Sequence, residues 1–306
     1  MLKNNQLTEH CRLINAFQPT EAEQEQLATQ YGITQEMFGY AFDVDERARI
    51  EEGDDSPVTL IVYDVLLTKN LNDEEKDPTG PIAMAINGDH LIMFTNTNNQ
   101  FVVDDLLANK KHIKYHTEGP LQVILGIMYR LSARYFDAIH AIDKDRQKLQ
   151  RTLKTETSRA AITKLMGMQT KLVYYLTSLR SNASLVQELT HDKKLAIDDN
   201  DRERIDDILV ELKQGLEMAQ MASEVIEHLS DAYTNVLDND LNNTMQFLTV
   251  ISVALAVPTI IFGFFGQNVW LPLARTKWSW LSTILISAFI IFMGFLLFRA
   301  YQHFKK

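Results

Sequence analysis

The chain has 306 residues, 46% of them hydrophobic and 23% charged, with 40 acidic residues against 30 basic ones and a formal net charge of −10. That charge is unevenly spread: Met1 to Asp240 carries 25 basic and 40 acidic residues, net −15, whereas Leu241 to Lys306 has no Asp or Glu and carries +5 through Arg275, Lys277, Arg299, Lys305 and Lys306. A body this acidic argues against a nucleic-acid binder, whose electrostatic footprint is basic, and a single cysteine, Cys11, in a polar N-terminal stretch excludes a disulfide scaffold and a Cys-based zinc site.

The N-terminal stretch MLKNNQLTEHCRLINAF lacks the apolar core of a signal peptide, which places the body in the cytoplasm. Glu21 to Tyr31 and Gln35 to Phe42 read as short helices. Leu60 to Leu67 reads as a strand, and Pro81 to Asn87 and His90 to Thr95 as two more, joined by a tight turn at Gly88-Asp89. Between them, Asn72 to Gly80 is a polar loop. Residues 1–120 are therefore expected to form an α/β domain.

From Leu121 the Gly and Pro punctuation nearly vanishes. Val123, Ile127, Leu131, Tyr135, Ile139, Ile142, Leu149 and Leu153 recur at helical spacing, predicting one long helix, and a second covers Arg159 to Thr190. After the polar break His191 to Asp201, a third starts near Arg202. Its residues Ile205, Leu212, Ala219, Ile226 and Tyr233 fall seven apart, with Ile208, Gly215, Ala222, Leu229 and Val236 as a companion series. No Pro interrupts it before the apolar tail, so residues 121–245 are expected to form a long-helix bundle and stalk. A rod of that length needs partners, either the two preceding helices or further copies of the chain.

Residues 246–306 contain two uncharged apolar runs, Phe247 to Phe265 and Trp280 to Phe298. A bilayer core of about 30 Å needs about 20 helical residues, so both are expected to span a membrane. Trp270, Trp278, Trp280 and the basic tail flank them as interfacial anchors. The resulting fold class is an α+β membrane protein: an N-terminal α/β cytoplasmic domain, a long helical stalk and two C-terminal transmembrane helices. Two spans put both termini on the cytoplasmic side of the cell membrane. Pro258 lies inside the first span, where a bend is expected.

Extending the heptad through the first span places Asn242, Thr249, Ala256 and Gly263 in one row, with Met245, Ser252, Thr259 and Gly266 in the other. One face of the span is thus small or polar. Such faces serve close helix packing in membranes, or line a pore when several copies surround an axis; Asn242, Met245, Thr249, Ser252, Ala256 and Thr259 are the candidate lining residues. Asp240 is the last acid of the chain, so an ion on this path would meet dipoles rather than carboxylates. The outer end of the first span is a helix C-terminus, whose carbonyls carry partial negative charge, and it ends in Gly266-Gln267-Asn268. Mg²⁺ gives up its water reluctantly, so a ring of amide and carbonyl oxygens reading its hydration shell suits it, whereas softer metals draw on Cys, His or Met.

These residues resemble the CorA family of divalent-cation channels: Leu241-Asn242, Met245, Leu248-Thr249, Pro258, Gly263, the Gly266-Gln267-Asn268 triplet, Pro272, Trp278, Trp280 and the final basic tail. The resemblance extends over the whole architecture. It implies a homopentamer in a lipid bilayer that passes Mg²⁺ into the cytoplasm under the membrane potential, with the triplet Gly266, Gln267 and Asn268 as selectivity filter. It also implies gating by cytoplasmic Mg²⁺ held between neighbouring domains, for which Asp206 and Asp207 are the candidates. The family triplet reads Gly-Met-Asn, so Gln267 is a departure, as are Arg275 and Lys277 in the loop where many members carry acids.

Asp231, Asp238 and Asp240 nearer the membrane concentrate cations or form an ordinary polar face. His112 and His116 have zinc spacing but no third ligand, and Asp198-Asp199-Asn200-Asp201 lacks the Gly and Glu of a calcium loop. The sequons at Asn182 and Asn242 are chance matches for a cytoplasmic segment. No phosphate-binding loop or nucleophile motif is present, which predicts a transporter rather than an enzyme, with no cofactor beyond Mg²⁺ as transported and regulatory ion. Two other functions fit the same residues: transport of Co²⁺, Ni²⁺ or Zn²⁺ on the same scaffold, or a membrane-anchored cation sensor that does not conduct.

Overall fold

A computed structural model of the protein describes residues 1–53, 57–67, 77–109, 118–152, 159–192, 194–267 and 277–304. Six strands build one mixed sheet: β1 (Leu2–Thr8), β2 (Cys11–Phe17), β3 (Arg49–Glu52), β4 (Thr59–Leu66), β5 (Thr79–Asn87) and β6 (His90–Thr95), in the order β1-β2-β6-β5-β4-β3. Every neighbouring pair is antiparallel except β2 and β6. The central strands read as near-continuous apolar runs because both of their faces are covered. On one face, Ile14, Val62, Ala85 and Phe94 pack against Leu27 of α1 (Glu21–Tyr31) and Met37 of α2 (Gln35–Phe42). Asn87 pairs with His90 across the two-residue turn, where Gly88 takes φ 58°, a backbone region open to Gly at no steric cost.

After α3 (Phe101–Ala108) come the long helices α4 (Pro120–Thr152), α5 (Arg159–Leu189) and α6 (Asp199–Phe265), then α7 (Ser279–Phe304). The start of α6 is fixed chemically: Asp198 Oδ1 accepts from Asp201 N at 2.7 Å, and Asp201 Oδ2 accepts from Asp198 N at 3.4 Å. The Asp-rich tetrapeptide rejected as a calcium loop is therefore a reciprocal helix cap. Asp201 is buried and also takes two bonds from Gln122 Nε2, at 3.1 and 2.9 Å, while Arg204 pairs with Glu118 at 2.8 Å. Tyr129 then donates to Glu211 at 3.3 Å. These contacts set α4 and α6 side by side and pointing the same way.

The seven-residue series on α6 is its buried face: Ile205, Leu212, Ala219, Ile226 and Tyr233 are all enclosed, as are Ile208 and Gly215. Gly215 lets α5 approach, since a Cβ there would stand 3.3 Å from Leu179 Cδ2. The chain divides into two compact units, Met1–Asp231 and Ala232–Lys306. The first holds the sheet with its covering helices; the second holds the rest of α6 and α7. Helix α6 is assigned as helix through Pro258.

Sequence reading places α1 and α2 to the residue and β4 to β6 within two residues, but it leaves out β1, β2, β3 and α3. Cys11, read as part of a polar N-terminal stretch, is fully buried in β2. His112, His116, Arg275, Trp270, Pro272 and most of the Asn72 to Gly80 loop lie outside the described residues.

Candidate functional site

Three groups of residues bear on function: the first apolar stretch, the acidic start of α6, and a polar junction between sheet and long helices.

The apolar part of α6 and helix α7 are each long and apolar enough to cross a membrane. Neither is covered like the core helix of a soluble protein: Phe247, Leu255 and Ile260 are 67–69% exposed. Within the apolar stretch of α6, Phe247 to Phe265, the less exposed residues are Ala254, Val257, Pro258, Ile261 and Phe265. At 3.6 residues per turn they form one face. Asn242, Met245, Thr249, Ser252, Ala256 and Thr259 occupy the opposite face and are all exposed. That stripe is not the continuation of the buried row of α6: seven-residue steps from Tyr233 lead to Asp240 and Phe247. The heptad extension into the span is corrected accordingly, because the buried row serves the α4 and α5 contacts of its own chain.

The hydroxyls of the stripe are turned to advantage. Thr249 donates to Met245 O at 2.8 Å, Ser252 to Leu248 O at 2.8 Å and Thr259 to Leu255 O at 3.0 Å. With their protons committed to the helix, these oxygens present only lone pairs outward. Such a surface can accept hydrogen bonds from water. At the helix end, Gly266 N donates to Phe262 O at 2.9 Å, and Gln267 N to Phe264 O at 3.4 Å. A Cβ at position 266 would stand 3.1 Å from Phe262 O, a tight contact with a backbone atom, so the position favours Gly. Gln267 is exposed. Asn268 lies outside the described residues.

Asp206 and Asp207 are exposed on the first turns of α6. Among the described residues no three His, Cys, Asp or Glu side chains come together as one metal site. A hollow of about 330 Å³ beside the sheet is lined by Asp43, Asp45, Asp77, Asn96, Asn98 and Asn99 among others, but it gathers no such set either.

The polar junction escapes sequence reading. Asn182 of α5 grips the backbone of Asp64 from both sides, accepting from Asp64 N at 2.9 Å and donating to Asp64 O at 2.8 Å. Being fully buried, Asn182 is no glycosylation acceptor. Tyr135 of α4 donates to Asp64 O at 3.3 Å and bonds Ser178 of α5, and Tyr63 bonds Ser132 of α4 at 2.7 Å. One carboxylate oxygen of Asp64 is enclosed with no hydrogen-bond partner among the described residues. Burial pushes the Asp64 carboxyl up to about 6, against the opposing effects of Ser178 and Arg47. The available signal was Ser132, Ser178 and Asn182 at positions that helical spacing assigns to the apolar faces of α4 and α5.

A sequence model of the CorA-like Mg²⁺ transporter family matches residues 11–300. The chain belongs to that family. Among relatives, the cobalt/magnesium transport protein CorA of Methanocaldococcus jannaschii is 23% identical over 289 residues, covering 94% of this chain and 89% of the relative. The complete structure of the CorA magnesium transporter from the same organism superposes with a TM-score of 0.79 at 22% identity, over 95% of this chain and 90% of that one. The full-length CmaX protein gives 0.73 at 18% identity, over 94% and 88%. These likenesses establish the CorA architecture: an N-terminal α/β domain, long helices and two C-terminal apolar helices. CorA-like proteins are transporters, and the two apolar helices are candidate membrane spans for such a protein.

Proposed function

We propose that the chain is a channel-type Mg²⁺ transporter, a homopentamer in the cell membrane whose termini face the cytoplasm. The observation that carries this reading is the exposed stripe Asn242, Met245, Thr249, Ser252, Ala256 and Thr259, with outward lone pairs on three of its hydroxyls. Five copies turning that face inward give a pore wall of weak oxygen acceptors, suited to an ion that keeps its water. Family membership and the cobalt/magnesium relative support divalent cations as substrate. Residues 1–120 form the cytoplasmic domain, 121–245 the bundle and stalk, and 246–306 the transmembrane domain with spans near 247–265 and 280–298.

In this reading Gly266, Gln267 and Asn268 form the filter at the outer mouth. Gln267 stands where the family triplet has Met, adding a second carboxamide per subunit that can bond the hydration shell directly. The membrane potential drives influx at about 2.3 kcal/mol per charge per 100 mV. Asp206 and Asp207, which meet no third metal-ligating side chain among the described residues, act between neighbouring copies: cytoplasmic Mg²⁺ bridging them closes the pore. No chemical step is involved and no cofactor is needed beyond the ion itself.

The test is Mg²⁺ influx into dye-loaded proteoliposomes under an inside-negative potential, with Co²⁺, Ni²⁺ and Zn²⁺ in parallel. Wild type is expected to pass Mg²⁺, and Asn268→Ala to lose at least tenfold of that flux. Flux of the transition metals alone would show that Gln267 and the basic loop set a different selectivity. A membrane that stays tight to every ion with internal Mg²⁺ removed would leave the non-conducting sensor.

A further inference from the structure

The hydrogen bonds around Asp64 leave a choice of proton positions. Each hydroxyl at the junction brings one proton and two lone pairs. Ser132 donates to Met128 O of its own helix at 2.7 Å, so in its bond with Tyr63 the phenol is the donor. The second tyrosine–serine pair is not fixed in this way. Tyr135 has two acceptors in reach, the main-chain oxygen of Asp64 at 3.3 Å and Ser178 Oγ, and the bond between Tyr135 and Ser178 can run in either direction. Ser178 in turn hydrogen-bonds the Asp64 carboxyl.

Counting protons links the three groups. When Tyr135 donates to Asp64 O, Ser178 donates to Tyr135 and its oxygen can then only accept, so its bond to the Asp64 carboxyl needs a proton on that carboxyl. When the carboxyl is ionised it takes the Ser178 proton instead, Tyr135 turns to Ser178 Oγ, and Asp64 O loses its bond from α4. The first arrangement holds the Asp64 main chain from both α4 and α5, the second from α5 alone, through Asn182.

The surrounding charged and titratable groups leave the choice to Asp64. Arg47, ahead of β3, stays cationic. Burial holds the phenols of Tyr63 and Tyr135 above the usual tyrosine range, and that of Tyr175, edge-on to Tyr135 at 5.9 Å, at about 12. On the neighbouring strand β5, Pro81 pairs with Asp64 and brings no charge. The carboxyl itself is pushed up to about 6 by burial, with one oxygen enclosed and unpartnered among the described residues, so it is the member of this group that changes charge near neutrality.

We propose that Asp64, Ser178 and Tyr135 form a proton-set latch: a neutral Asp64 carboxyl orients the relay so that Tyr135 of α4 holds the β4 main chain, and ionisation reverses the relay and frees it. Acidification through about pH 6 thus tightens α4 against the sheet. The latch lies wholly within the first unit and needs no ion flux, so it stands or falls apart from the transport reading.

The experiment is amide hydrogen exchange on the full chain in detergent at about pH 5 and about pH 7.5, either side of the ionisation, each variant being compared with wild type at the same pH. Peptides covering 59–66 and 128–139 report on the latch, and those covering 2–17 serve as reference. Asp64→Asn carries a carboxamide that donates to Ser178 at every pH. It is expected to match wild type at the lower pH and to exchange about two- to tenfold more slowly at the higher one, the range that one hydrogen bond sets. Tyr135→Phe is expected to show the reverse: faster exchange by a similar factor at the lower pH and no difference at the higher. Ser178→Ala leaves Tyr135 only Asp64 O of its two acceptors, and is expected to behave like Asp64→Asn. The three variants give separate patterns, so one that fails to fold leaves two that test the latch. A Ser178→Ala chain that keeps the wild-type response to pH overturns the proposal, because burial of the charge alone then sets the response. Equal exchange of wild type and Asp64→Asn at both pH values overturns it as well. So does an equal effect of Tyr135→Phe at both, which would mark Tyr135 as a fixed tie.

Discussion

Asp64 joins β4 to two long helices through its backbone, yet it carries an ionisable side chain with one oxygen enclosed and unpartnered. An enclosed carboxylate without a donor is costly, and the cost is relieved when the group takes a proton. The folded chain holds that proton up to about pH 6, whereas an unfolded chain releases it near 3.8. Folded stability from this group is therefore complete below about pH 4 and is lost as pH rises through about 6, by about 2–3 kcal/mol. Asp64→Asn keeps the shape and removes the titration. Thermal melts of the full chain in detergent, taken at several pH values between about 4 and 8, are expected to show wild type losing stability across that window relative to Asp64→Asn. Parallel curves would mean that the carboxyl titrates normally.

At the scale of elements, the contact between α5 and α6 turns on Gly215. Leu179 stands 3.3 Å from where its Cβ would be, close enough that a methyl group requires only a small shift of a flexible side chain. Gly215→Ala is expected to be nearly neutral, the helix propensity gain of about 1 kcal/mol offsetting that shift. Gly215→Leu is expected to destabilise by about 1–3 kcal/mol by forcing the helices apart, read as a lower melting temperature. Gly215 was visible in the sequence as one step of a seven-residue series, as were the apolar faces of α4 and α5, because long helices write their packing into a regular spacing. The paired strands β5 and β6 were equally plain from two apolar runs about a Gly-Asp turn. What escaped has no such local signature. Strand β1 lies at the sheet edge with most of its residues exposed or half-buried, and β3, Arg-Ile-Glu-Glu, is half-buried throughout. Its Arg49 is held from outside the strand, 4.1 Å over the Tyr40 ring. Strand β2 hides its character because Asn15 is buried as a hydrogen-bond partner of Thr95. The candidate site divides the same way: the small and polar stripe could be read off the chain, but not that it lies opposite the covered face, nor that Asn182 ties α5 to Asp64. The first depends on packing within the second unit, and the second on residues more than a hundred positions apart.

For the whole molecule, the transport reading requires that the segment between α6 and α7 emerge on the side opposite the body. Cys11 makes this directly measurable. The thiol is fully buried, and burial, followed by the nearby charges of Asp89 and Glu118, pushes it up to about 12, so it presents almost no thiolate to a maleimide. The native chain is expected to stay unlabelled until it is unfolded, leaving an introduced cysteine as the one reactive group. Glu25→Cys on an exposed face of α1 and Lys277→Cys at the exposed start of the last helical region are suitable positions. In sealed vesicles of one orientation, a membrane-impermeant maleimide is expected to label one of the two from outside and the other only after the vesicles are opened. Both labelled from the same side would mean that the apolar helices enter and leave the bilayer without crossing it. A pore wall made from the α6 stripe would then have no second mouth, and Mg²⁺ conduction by this chain would fail with it.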